Sequence, residues 1–104
     1  MFKDVVDLLT IKKASDGAGG FDAVIDNQRT VFAEKKSVRG SEFYQAAQAD
    51  LRVESIFKIS LFDYQDERYV LHNDKYYSVI RTFETGDFIE LSCERRTGSL
   101  NEVV

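Results

Sequence analysis

Between Phe88 and Arg95 the chain alternates: Ile89, Leu91 and Cys93 are apolar, and Glu90, Ser92 and Glu94 stand between them. Successive side chains of an extended strand point to opposite faces, so a period of two describes a strand with one dry and one wet face. Comparable segments recur along the chain. Val5 to Lys13 has Val5, Leu9 and Ile11 on one face and Val6, Leu8 and Thr10 on the other. Apolar residues on both faces predict burial on two sides or a partner contact. Phe21 to Ile25 forms a short extended path that stops at Asp26-Asn27. Arg29 to Val38 is a second long strand, with Val31 and Ala33 opposite Phe32. Val53 to Asp63 places Val53, Phe57, Ile59 and Leu61 together, with Ile56 and Phe62 behind. Tyr69 to His72 and Tyr76 to Phe83 complete the set, and Tyr77, Val79 and Phe83 fall on a core face.

Punctuation between these segments is local chemistry. Asn73-Asp74-Lys75 and Thr85-Gly86-Asp87 are tight turns, and Ser15-Asp16-Gly17-Ala18-Gly19-Gly20 holds three glycines within four residues. Ordering that much glycine costs backbone entropy, so residues 15–20 read as a flexible loop. After Gly40, Ser41 can cap a two-turn helix by accepting a first-turn N–H, and Glu42 complements the helix dipole. Phe43, Ala46 and Ala47 share a face of this helix, which ends near Asp50. Thr97 to Val104 reads as a flexible C-terminal tail.

Strands every ~10 residues with one short helix in a connecting loop argue for a mainly β fold, a small antiparallel β-barrel or sandwich. At 104 residues the chain fits one domain, 1–104. Eight Phe and five Tyr supply the bulk for one core, and there is no proline to blunt an edge strand. Unprotected edges favour strand pairing between neighbours.

The residues offer little chemistry. Gly17-Ala18-Gly19-Gly20 lacks the lysine that a phosphate-binding loop places after its glycines. Cys93 is the sole cysteine, so an intrachain disulfide and a cysteine-rich zinc site are excluded. His72 is the sole histidine; nothing ties it to Cys93 as a nucleophile's base, and alternation sends Cys93 to the core. Asp63, Asp66, Glu67, His72 and Asp74 miss the spacing of a calcium loop and read as a solvated acidic turn. No catalytic, cofactor or metal residue is assigned, and no cofactor is expected. Tyr64, Tyr69, Tyr76 and Tyr77 with Arg68, Lys75 and Arg81 could stack single-stranded nucleic acid, which keeps a nucleic-acid-binding barrel among the alternatives. Fourteen Lys and Arg against eighteen Asp and Glu leave a net charge of −4, which disfavours tight nonspecific binding to DNA. No segment approaches the ~20 apolar residues of a membrane-spanning helix, and the start lacks a signal-length apolar run, so assembly in a cytoplasm is expected.

Several motifs, in order, resemble the phage head–tail joining (head-closure, or stopper) family. They are Phe2-Lys3-Asp4-Val5-Val6, the Gly-rich loop with Val24-Ile25-Asp26, and Val31-Phe32-Ala33-Glu34. Arg39-Gly40-Ser41-Glu42-Phe43-Tyr44-Gln45-Ala46-Ala47-Gln48 follows, and then Tyr77-Ser78-Val79-Ile80 leading to Ile89 through Glu94. The likeness runs over about residues 2 to 96. It implies a structural, non-enzymatic virion protein that assembles as a ring at the head–tail interface, closes the DNA channel after packaging and docks the tail. Its implied partners are other copies of itself, the phage adaptor and portal proteins and a tail-completion protein. DNA would pass through without sequence-specific binding, no membrane is involved, and the gene would belong to a phage or prophage. In stopper relatives the segment between the second and third long strands projects into the channel. Here it matches 39–52, making Arg39, Gly40, Ser41, Glu42, Phe43, Tyr44 and Gln45 the candidate gating segment. Asp16, Gly17, Gly19 and Gly20 are the candidate partner-contact loop. A tail-terminator ring is the competing structural role.

Overall fold

The computed structural model describes residues 3–36, 53–98 and 100–103. Six antiparallel strands make up most of them: β1 (Asp4–Ser15), β2 (Phe21–Lys36), β3 (Ser55–Ser60), β4 (Tyr69–His72), β5 (Lys75–Thr85) and β6 (Phe88–Arg96). A 3-10 turn covers Leu61–Asp63 and a short helix, α1, covers Leu100–Val103. The sheet runs β1-β2-β3-β6-β5-β4 and closes where β4 pairs with β1, as a barrel. The mainly β antiparallel reading therefore holds, and of barrel and sandwich the chain takes the barrel. The helix expected after Ser41 lies outside the described residues, as does Val38.

Alternation explains which residues turn inward. Val6, Leu8, Val31, Ala33, Phe57, Ile59, Val70, Tyr77, Ile89, Leu91 and Cys93 form one buried cluster. At its centre Phe57 is fully buried and meets Tyr77 edge-on at 5.3 Å and His72 at 5.2 Å between ring centroids. Full burial of such a side chain contributes on the order of 2 kcal/mol, so the cluster is the main source of stability. A barrel's width grows with strand number, and eight strands are needed before the interior does more than hold its own side chains. Six strands leave a packed core and no lumen.

Turn chemistry sets the hairpins. Asn73 and Asp74 both sit at positive φ, 51° and 62°, as a type I′ turn demands, and Asn and Asp tolerate that region. Gly86, at φ 60°, takes the first position of the β5–β6 turn, which fits type II′.

Four details depart from the sequence reading. The two segments around Asp26-Asn27 are one strand: the pairing slips between Thr10 and Ile11, so Thr10 faces Asn27 and Ile11 faces Ile25, leaving Asp26 as a β-bulge. A bulge absorbs the polar pair without ending the strand. The third long strand stops at Ser60, whose hydroxyl accepts the Phe62 N–H (3.3 Å) and starts the 3-10 turn; Phe62 is left 80% exposed. Phe83, expected in the core, is 52% exposed, because the register of β5 shifts between Val79 and Arg81 and inverts the faces beyond. Within 97–104 the chain forms α1, which packs on β2 and β5; Val103 is fully buried and its carbonyl accepts from Arg96 Nε at 3.0 Å.

Candidate interaction surfaces

β4 is four residues long and reaches only Asp7–Leu9 of β1, while β3 pairs with β2 only over Glu34–Lys36. Beyond those pairings, Thr10–Ser15 and Phe21–Asn27 have only each other as strand neighbours among the described residues. They form a two-stranded ribbon that continues past the barrel ring. A lone ribbon is marginal in water. Here α1 braces it: the Ala23 N–H donates to Asn101 Oδ1, and Asn101 Nδ2 donates to Asp22 Oδ1 at 3.2 Å. An N–H that reaches Asn101 points away from β1, so the side-chain amide occupies the outer edge of β2 where another strand would bond.

The Gly-rich loop closes the ribbon. Asp16 organises it: Oδ1 accepts the N–H of Ala18 at 2.7 Å and of Gly20 at 3.0 Å, while the Asp16 N–H donates to the Gly20 carbonyl at 3.1 Å. Those two amides hold the Asp16 carboxyl below its ordinary value of 3.8. Gly17 and Gly19 sit at φ 81° and 87°, where a side chain would be strained. Asp16, Gly17, Gly19 and Gly20, the candidate partner-contact residues, thus form a hydrogen-bonded turn at the ribbon tip. The candidate gating residues Arg39 to Gln45 lie outside the described residues.

A second unpaired edge belongs to β5. β4 covers it only from Lys75 to Ser78, and beyond Val79 the strand pairs only with β6 among the described residues. Beside this edge runs an open groove of about 450 Å³, lined by Tyr64, Asp66, Arg68, Val79, Ile80, Arg81 and Thr82. Its floor is held by the Val79 N–H donating to the Arg68 carbonyl at 2.8 Å. Tyr64 donates its hydroxyl to the Glu67 carbonyl at 2.8 Å. Burial, with the Asp66 and Glu67 charges, pushes its phenol up to about 12. Elsewhere Val5 and Phe32, cross-strand partners on the outer face, are 53% and 67% exposed, and Phe21 is 69% exposed. Phenylalanines this bare suit a surface that another protein covers.

The tyrosines proposed as a stacking platform divide. Tyr77 is in the core and unavailable to bases; Tyr64, which packs against the core and lines the groove, Tyr69 and Tyr76 are partly buried. Nor is the acidic stretch a solvated turn throughout. His72 is 6% exposed under Phe57, and Glu67 is 3% exposed. Glu67 Oε2 accepts from Arg29 Nε at 3.0 Å and Nη2 at 2.6 Å, its Oε1 accepts the Gln65 N–H at 2.7 Å, and Arg29 also reaches the Asp63 carbonyl. This clamp ties the loop after the 3-10 turn to β2. The partners are 38 residues apart, and no spacing signal announces them. Cys93 is fully buried, and burial drives its thiol far above the ordinary value, so it is no nucleophile.

Among known families, a model described as phage head completion protein matches residues 2–96. No curated protein matches the chain.

Proposed function

Because the chain belongs to the phage head completion protein family, we propose that it forms a ring at the head–tail interface, closes the DNA channel after packaging and presents the surface on which the tail docks. The family match over residues 2–96 carries this reading. Three physical features support it. A six-stranded barrel has no lumen, so DNA can pass only between copies arranged around an axis. Strand edges on β1 and β5 that pair on one side only among the described residues, and exposed phenylalanines such as Phe21 and Phe32, offer contacts for sister copies and for adaptor, portal or tail-completion proteins. A net charge of −4 repels DNA phosphates, which suits a passage that must release its contents.

Within this proposal, residues 39–45 gate the channel and the Asp16–Gly20 turn contacts a neighbouring protein. Electron microscopy of particles lacking the protein tests the role. Full heads that lose their DNA support closure. Sealed heads beside overlong tails would instead make the protein a tail terminator.

A further inference from the structure

Among the strand stretches that have no second strand neighbour in the described residues are Phe21–Asn27 of β2, Thr10–Ser15 of β1, and the end of β5 from Ile80 to Thr85. The first is occupied in part by Asn101, which takes the Ala23 N–H. The other two, six residues each and exposed for most of their length, have no strand on their second side among the described residues. An open edge binds an extended segment by completing its ladder, and side chains along it set specificity.

Charge selects the occupant. Lys13, on the β1 edge, and Glu84, on the β5 edge, are both exposed, and neither enters an ion pair among the described residues. Backbone polarity agrees. Thr85 and Phe88 stand opposite each other across a two-residue turn, the position that is the hydrogen-bonded pair in a hairpin of this kind. The alternation of antiparallel pairs then turns the N–H groups of Glu84 and Thr82 away from β6. On the ribbon, the outward N–H of Ala23 marks Lys13–Ala23 as a pair without mutual bonds, so Lys13 also turns its backbone to the open side. The groove along Ile80–Thr82 leaves space for an added strand.

We propose that the β5 edge, Ile80–Thr85, receives the β1 edge, Thr10–Ser15, of a second copy of this chain, with Lys13 set against Glu84. Different patches meet in such a contact, so it is head-to-tail and propagates, closing into a ring where the rotation allows. This deepens the ring reading and rests on it for its setting in the virion.

Sedimentation equilibrium of the full chain at low salt, up to about 1 mM, tests it, since that range captures even weak association. Self-association is expected. Lys13→Glu and Glu84→Lys each weaken it by about fivefold, and the two reversals together restore it. Thr82→Pro removes an outward N–H without removing a bond to β6, so it abolishes association while circular dichroism shows the fold retained. A protein that stays monomeric throughout, or one whose association ignores the charge reversals, overturns the proposal. The charge pair decides should the proline variant fail to fold. Particles lacking the protein answer the separate question of role. Heads that leak DNA, together with association indifferent to these variants, keep the ring reading and remove this contact; sealed heads with edge-dependent association do the reverse.

Discussion

Replacing Arg29 by Met should cost the protein more than removing the charge of its partner. The Glu67 side chain is 2% exposed and that of Arg29 28% exposed, and they meet through two hydrogen bonds. Arg29→Met leaves the carboxylate buried with only the Gln65 N–H as a donor. An uncompensated buried charge of this kind costs about 3 kcal/mol. Glu67→Gln costs less, because no buried charge is left and the guanidinium touches solvent and keeps the Asp63 carbonyl; its single amide oxygen can serve Arg29 or Gln65 but not both, and a loss of about 1–2 kcal/mol is expected. The double variant Arg29→Met/Glu67→Gln should therefore be more stable than Arg29→Met alone. The chain has no tryptophan, so urea unfolding is followed by tyrosine fluorescence or far-ultraviolet circular dichroism. For a domain of this size a loss of 3 kcal/mol lowers Tm by more than about 10 °C. An Arg29→Met variant within 1 kcal/mol of the wild type, or a double variant less stable than it, would refute the reasoning.

Phe57→Ala should lower stability by about 3–5 kcal/mol in the same unfolding assay, since the ring is fully buried against Tyr77 and His72. In the Asp16 turn the carboxyl is held below 3.8, so the turn's stabilisation is complete above that pH and fades as pH falls through the lower folded value; the amide resonances of Ala18 and Gly20, followed by NMR, should hold steady to pH 4 and shift only below it. Tyr64 should stay protonated in an ultraviolet titration after exposed tyrosines have ionised, with its own transition near pH 12. Cys93 should resist alkylation in the native protein at pH 8 and react at once in denaturant, because its thiol is buried and held protonated.

Much of the barrel was legible because side-chain alternation is local. Ile89, Leu91 and Cys93 announce their face within seven residues, and all three are in the core. The turns at Asn73-Asp74 and Gly86 were equally plain, since positive φ selects a small set of residues. Errors came where a long-range fact overrode a local one. Asp26-Asn27 carries every mark of a strand end, yet β1 continues alongside and converts it into a bulge. Phe83 has the right parity for the core until a shift near Ile80 inverts it. Residues 97–104 look featureless, and the Leu100–Val103 helix within them is held by Ala23, Asp22 and Arg96.

The amino-acid order by itself determined most of the strands and inward faces, the tight turns and the negative charge, because each depends on neighbours within a few residues, and it left one cysteine with no partner in the chain. Family membership was legible the same way, in the order of short motifs from residue 2 to 96. Only the folded chain decided that the sheet closes through β4 and β1, that Glu67 is clamped by Arg29, and that Asn101 takes the outward Ala23 N–H of β2. Those features depend on which distant strands become neighbours and how far each pairing runs. Strand lengths and registers are set by packing of the whole core, which no local window contains.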